Sequence, residues 1–309
     1  GHLKIVKMLL AVDGIQVNQA NNLGCSPLSI ACSNGHSKVV KMLLAVDDIQ
    51  VNQANNNGTT PLNTAVDGIY LNEGHLKVVE MLLAVDSIQV NQATNFGRTP
   101  LNAACSNGHS KVVKMLLAVD DIQVNQADED GWTPLNAACS WGHLKVVEML
   151  LAVDGIQVNQ ATNFGRTPLS AACLNGHLKV VKMLLAVDGI QVNQANKSGW
   201  TPLNAACSNG HSKVVEMLLA VDGIQVNQAD EDGFTSLNVA CSNGHSKVVE
   251  MLLAVDDIQV NQADENGCTP LYGACSDQRY ACGDGGDHSK VVKMLLAVDG
   301  IQANQANNN

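Results

Sequence analysis

Two residue types that can do chemistry, histidine and cysteine, return along this chain at regular spacing, and the regularity limits what they can do. The nine histidines occupy one place: His2, His36, His75, His109, His143, His177, His211 and His245 each follow a glycine, and His288 follows Asp287. A general base is a single side chain placed against one proton. A histidine that repeats with the chain therefore reads as structural, hydrogen-bonding the turn between two helices. Seven of the ten cysteines, Cys32, Cys105, Cys139, Cys173, Cys207, Cys241 and Cys275, share a second place. They read as small core residues, held by stacking beyond the ~7 Å Cα separation that a disulfide tolerates. Free thiols of this kind suit a reducing, intracellular compartment, with the cytoplasm expected. Cys25 and Cys268 stand in the turn before the proline of their units. They read as exposed thiols with no base beside them, and so not as nucleophiles.

One cluster breaks the regularity. Cys275, Cys282 and His288, with Asp284 and Asp287 in a glycine-rich stretch, are metal-ligating types, but their spacing matches no zinc or calcium pattern. The sequence contains no C-x-x-C, no phosphate-cradling loop and no catalytic-serine signature. It therefore predicts no catalysis, no metal, no cofactor and no small-molecule substrate.

The elements that position these residues come from a period. Glycines before a T-P-L-like word fall at Gly24, Gly58, Gly97, Gly131, Gly165, Gly199, Gly233 and Gly267, six intervals of 34 residues and one of 39. Such a period marks a repeat array. In Gly131–Gln160, Thr133 suits a helix N-cap and Pro134 the first helical position. Leu135, Ala137, Ala138 and Cys139 then form a short helix of small residues. Gly142-His143 breaks the chain before a second helix, Leu144 to Val153, with Lys145 and Glu148 on its one wet stripe. A short helix apolar nearly all round must be buried on several sides, so units must stack. Asp154-Gly155, Asp120-Asp121 and Asp86-Ser87 follow the second helices and tolerate the left-handed conformation that ends them. The I-Q-V-N-Q-A segment reads as an extended arm closing in a tight turn.

The words T-P-L-N-A-A-C and N-G-H-x-K-V-V-K-M-L-L, in register over essentially the whole chain, resemble the ankyrin repeat, whose signature is T-P-L-H-x-A at a period near 33 residues. Two features depart from it. The signature histidine is Asn63, Asn102, Asn136, Asn204 or Asn238, Ser29 or Ser170, or Tyr272, and the unit is one residue longer. The resemblance implies an all-α solenoid of helix–turn–helix units with short β-hairpin turns, running as a single array over residues 1–309. A half unit (1–23) precedes eight full units opening at 24, 58, 97, 131, 165, 199, 233 and 267. Starting mid-unit and ending at a unit boundary suggests a segment of a longer array. Two units carry insertions between their helices, at Ala65–Asn72 and around Tyr280.

Composition agrees with a stacked aliphatic core: 46% of residues are hydrophobic but only 3% aromatic. No apolar run approaches the ~18 residues of a membrane span, and the N-terminal G-H-L-K-I-V is a second helix, not a signal peptide. The net charge of −11 argues against nucleic acid and permits a protein partner with a basic surface. Much of the charge lies in tips such as Asp128-Glu129-Asp130 and Asp230-Glu231-Asp232.

Those tips are where the units differ. N-N-L-G-C, T-N-F-G-R, D-E-D-G-W, N-K-S-G-W and D-E-D-G-F replace one another while the buried words barely change. Phe96, Trp132, Phe164, Trp200 and Phe234 lie at tips, Tyr272 just inside a first helix and Trp141 at the end of one. Exposed aromatics have no core to fill, and Trp, Tyr and Arg are enriched at binding hot spots. Proteins that this chain resembles bind partners with hairpin tips and the first-helix face. That resemblance implies a ladder of Arg98, Trp132, Trp141, Arg166, Trp200 and Phe234 along a concave side, flanked by Phe96, Phe164, Tyr272 and the acids Asp128, Glu129 and Asp230. The expected function is a non-enzymatic protein-interaction scaffold. The alternative is the recognition arm of a larger enzyme or channel.

Overall fold

The computed structural model describes residues 2–68, 70–276 and 287–303. Among them the chain forms α-helices and no strand. It falls into two compact units, Gly1–Gln157 and Val158–Asn309.

The first unit holds α1 (Leu3–Leu10), α2 (Pro27–Ser33), α3 (Ser37–Leu43), α4 (Pro61–Val66), α5 (Glu73–Leu83), α6 (Pro100–Ser106), α7 (Ser110–Leu117), α8 (Pro134–Ser140) and α9 (Leu144–Leu151). The first helices α2, α4, α6 and α8 pack in sequence, and the second helices α1, α3, α5, α7 and α9 form a parallel row behind them. The second unit repeats the scheme with α10 (Pro168–Leu174), α12 (Pro202–Ser208), α14 (Ser236–Ser242) and α16 (Pro270–Cys275) in front. Behind them stand α11 (Leu178–Leu185), α13 (Ser212–Leu219), α15 (Ser246–Leu253) and α17 (His288–Leu296).

Why the first helices start where they do is clear at α8. The Thr133 hydroxyl oxygen accepts from the Asn136 amide at 3.1 Å, and the Asn136 Oδ1 accepts from the Thr133 amide at 3.1 Å. This reciprocal box satisfies two donors left over by the helix start. It also explains the Thr-Pro-Leu-Asn word: asparagine in the signature-histidine slot closes the box and reaches the next unit. The Asn102 Nδ2 donates to the carbonyls of Gln126 (3.2 Å) and Trp132 (3.0 Å). Proline adds a fixed φ at a position needing no N–H.

The core is the predicted aliphatic stack. Leu28, Leu62, Leu101 and Leu135 in the first unit, and Leu169, Leu203 and Leu237 in the second, are at most 1% exposed. Each contributes about 1.5–3 kcal/mol by leaving water. In α9, Val146, Val147 and Leu150 are buried while Lys145 and Glu148 are exposed. Leu144, Met149 and Leu151 are only half-buried, so the second helix is less enclosed than its composition suggests. Its neighbours cover one side and leave a mixed outer face. The helix also stops at Leu151 rather than Val153.

Three local expectations change. The arm is not extended: the Gln19 amide donates to the Gln16 carbonyl at 3.1 Å, folding I-Q-V-N-Q back in a turn. The tip closes as a tight turn without a strand ladder, the Gly131 amide donating to the Asp128 carbonyl at 2.9 Å. The aspartates and serine after the second helices do not take left-handed backbone; among the described residues only glycines do, such as Gly155 at φ 79°. Those helices have already ended on an ordinary right-handed residue, Ala152 after α9.

The insertion in the unit opening at Gly58 is absorbed at its start. Ala65 and Val66 complete α4 and are fully buried, Val66 standing where other units have cysteine. Asn72 then caps the lengthened α5, its Oδ1 accepting from the Gly74 and His75 amides, and Tyr70 is 90% exposed. The second insertion, with Tyr280, Cys282 and Asp284, lies outside the described residues. Among the described residues no helix is long and apolar enough to cross a membrane.

Candidate protein-interaction surface

The periodic chemistry is structural, and its partners are specific. His143 Nε2 lies 3.0 Å from the Ser106 carbonyl, and His245 Nε2 lies 2.9 Å from the Ser208 carbonyl. Each histidine thus engages the end of the preceding unit's first helix, not the turn of its own unit. His109 keeps this bond despite the insertion, at 2.6 Å from the Gly68 carbonyl. Its partial burial lowers its pKa, so it favours the neutral ring.

Cys32, Cys105, Cys139, Cys173, Cys207 and Cys241 are fully buried. Burial pushes the Cys32 thiol up to about 12 and raises Cys105, Cys173, Cys207 and Cys241 as well. None of these thiols is a nucleophile at neutral pH. Cys275 differs from the others in its slot: it is exposed, and among the described residues no first helix packs beyond α16 to cover that face, which leaves Tyr272 open as well. Cys25 and Cys268 are half-buried rather than exposed. The Cys268 thiol is raised by desolvation and then by the adjacent Asp264.

The variable tips are built by backbone. Asp128 Oδ1 accepts from the amides of Asp130 (3.1 Å) and Trp132 (2.8 Å), locking the turn. Each tip also pairs with its neighbour: the Glu129 amide donates to the Phe96 carbonyl at 3.0 Å, and the Glu231 amide to the Ser198 carbonyl at 3.1 Å. The turn glycine permits that approach. Gly199 has φ 80°, and a Cβ there would meet the Asp230 Cα at 2.7 Å.

On this frame the predicted residues separate into two groups. In the first unit, Phe96 is 68% and Trp141 65% exposed, and in the second Phe164 is 64% exposed. Glu129 is exposed and Tyr272 only moderately so. Trp132, Arg166, Trp200 and Phe234 are half-buried, so the residues after the turn glycine project less freely than their position in the sequence suggests. Asp128 and Asp230 are also half-buried, with carboxylates committed to their own turns. Both have raised pKa values, chiefly through desolvation. Asp230 Oδ1 accepts from the amides of Asp232 (3.1 Å) and Phe234 (2.7 Å), and the Trp200 side chain also donates to its carboxylate.

Arg98 is part of an ion pair. Its Nη1 lies 3.1 Å from Asp67 Oδ1 in the first insertion, and it also attracts the Asp128 carboxylate. Within the second unit, Trp200, Asp230 and Phe234 come together with Asp232 and Glu265 around a groove of about 610 Å³. Ser208, Ser242 and Asn243, from the ends of first helices, complete its floor. Sequence reading missed Glu265 and these helix ends. The acidic tip words showed the former, but the polar helix ends repeat in most units and gave no local signal.

A family model described as ankyrin repeats, in three copies, matches residues 1–94, 69–162, 152–230 and 221–307. No curated protein matches the chain. Boxed Thr-Pro-Leu-Asn helix starts, buried periodic leucines, histidines that join one unit to the preceding one and a family match along nearly the whole length lead to one assignment: the chain belongs to the ankyrin repeat family.

Proposed function

We propose that the chain is a non-enzymatic scaffold that binds protein partners through its tips and the adjoining ends of its first helices. Ankyrin repeats serve generally as protein–protein interaction modules. The observation that carries the reading here is the exposure of Phe96, Trp141 and Phe164, each about two-thirds open to water. Aromatic side chains bury large areas when they dock, and these three fill no core. Glu129 lies on a variable tip and Tyr272 just inside the first helix that follows another, and the net charge of −11 favours a partner with a basic surface. The thiols held protonated by burial suit a reducing, intracellular location.

The test uses residues natural to each slot. Phe96→Asn, Trp141→Asn and Phe164→Ser copy Asn57, Asn107 and Ser198. The triple variant should keep its urea midpoint and weaken a captured partner at least about tenfold, the effect of losing ~1.4 kcal/mol. Full-strength binding by a stable variant would place the interaction surface elsewhere. Early unfolding would make these aromatics part of the fold.

A further inference from the structure

We infer that the groove of the second unit takes an arginine-bearing segment of a protein partner, its guanidinium stacked on Trp200 or Phe234 and held by Asp232 and Glu265. The inference rests on the reading of the tips as a protein-binding face and names the chemistry that one part of it selects.

Charge comes first. Asp230, Asp232 and Glu265 line the groove, and among the described residues no lysine, arginine or histidine does. Asp230 is occupied by the Asp232 and Phe234 amides and by the Trp200 side chain. It therefore orients the indole and leaves recognition to Asp232 and Glu265, both exposed. A cation brought here meets carboxylates at the rim and a tethered aromatic face below them. Arg guanidinium is planar and weakly hydrated, stacks on aromatic rings and forks to carboxylates, whereas an ammonium is a compact, strongly hydrated point charge.

The chain contains its own example of a guanidinium on such a surface. Arg98 follows Gly97 as Phe234 follows Gly233. Its Nη1 reaches Asp67 Oδ1 at 3.1 Å, and Asp67 ends α4 in the place that Ser208 holds in α12. On the other side Arg98 is attracted to Asp128 of the following tip, as Trp200 engages Asp230. The first unit thus fills this strip with an internal arginine. At Trp200 and Phe234 in the second unit the same slot is aromatic, Asp230, Asp232 and Glu265 line the groove, and its cation must come from outside that lining. A volume of about 610 Å³ is ample for one guanidinium with its flanking backbone.

The experiment titrates the full chain, labelled with nitrogen-15, with a short peptide of alternating arginine and glycine. The same peptide with lysine, and one with citrulline, serve as controls. The Trp200 indole and the Asp232 and Glu265 amides should shift together and saturate. The lysine peptide should bind at least about threefold more weakly, and the uncharged citrulline peptide should not bind measurably. D232N/E265Q alters only exposed carboxylates, so it should keep the unfolding midpoint and weaken the arginine peptide about tenfold. Equal binding of lysine and arginine peptides would overturn the inference, as would shifts spread evenly over acidic tips such as Glu129-Asp130 and indifferent to D232N/E265Q. Because no natural partner is needed, the two readings fail separately. Loss of partner capture in the aromatic triple variant with an unresponsive groove leaves the scaffold and removes this site. A responsive groove with no partner held by the tips does the reverse.

Discussion

Asn125 Nδ2 donates to the Gly155 carbonyl at 2.9 Å, and Asn125 Oδ1 accepts from the Gln157 amide at 2.9 Å. One side chain thus clamps the arm of its own unit to the arm of the next. The clamp recurs at Asn18, Asn52, Asn91, Asn159, Asn193, Asn227 and Asn261. Asn125→Ala removes both bonds. Water can reach the abandoned groups, so the expected cost is about 1–2 kcal/mol, from ~0.5–1.5 per bond. Asn125→Asp keeps the acceptor and should fall between. Urea midpoints check the order, and a neutral alanine variant would show that the clamp is ornamental to stability.

Leu135 is fully buried and Thr133 closes the helix box. Leu135→Ala should lower stability by about 2–5 kcal/mol through the cavity it leaves, and Thr133→Ala by about 1 kcal/mol. Denaturant unfolding measures both. If Leu135→Ala matched the milder cap variant, the central stack would not be the main source of stability.

Gly199 and Gly155 have nearly the same φ, 80° and 79°, but different surroundings. A Cβ at Gly155 meets nothing within 4 Å, whereas one at Gly199 meets the neighbouring tip backbone. Gly155→Ala should cost about 1–2 kcal/mol for the left-handed backbone alone. Gly199→Ala should cost at least about 1 kcal/mol more and shift the Asp230 and Glu231 amide resonances. Equal losses would mean that the tips part without strain.

Thiol reactivity should follow burial and pKa. Cys275 should alkylate first and Cys25 next. Cys268 should lag behind Cys25 because desolvation and Asp264 disfavour its thiolate. Cys32, Cys105, Cys207 and Cys241 should react only on unfolding. Timed alkylation with mass mapping reads this order, and early labelling of Cys207 would contradict the packed first-helix row.

Asp230 has a folded pKa above its ordinary value because partial burial disfavours the carboxylate. A raised pKa means that the folded state holds its proton longer. The associated stability is complete in acid and is lost as pH rises through the folded pKa. Asp230→Asn keeps an Oδ1 acceptor for the turn, as Asn196 does for the amides of Ser198 and Trp200. The variant should be slightly more stable than the parent at pH 7, with the gap closing as pH falls through the carboxylate range. Solvent screening keeps the effect small. A gap that widens in acid would mean that the ionised form is the stabilised one.

The period, both helices of each unit, the Thr133 cap and the leucine stack were legible in the sequence because they depend on neighbours a few residues away. The asparagine clamps were not: Asn125 finds its partners 30 and 32 residues on, and an invariant V-N word resembles packing. The inward turn of Asp128 and Asp230 was hidden for a related reason. A charged tip reads as solvated until its own amides are seen to need an acceptor. The exposure of Cys275 depends on what packs beyond α16, which the T-P-L-like start of its helix does not reveal. The aromatic tips were recognised as variable, but their unequal exposure follows from which side of the turn glycine each occupies.

The asparagine clamp also governs how such a chain can change length. Its two partners lie 35 and 37 residues on at Asn52, across an insertion, instead of 30 and 32, yet the bonds persist. Residues added between paired helices leave the clamp in phase. Loss or gain of one whole 34-residue period returns every interior asparagine to an equivalent carbonyl and amide, whereas half a period leaves donors and acceptors facing nothing. Copy number is then a nearly neutral variable, open to recombination between near-identical coding segments, while the phase of the junction is what selection must guard.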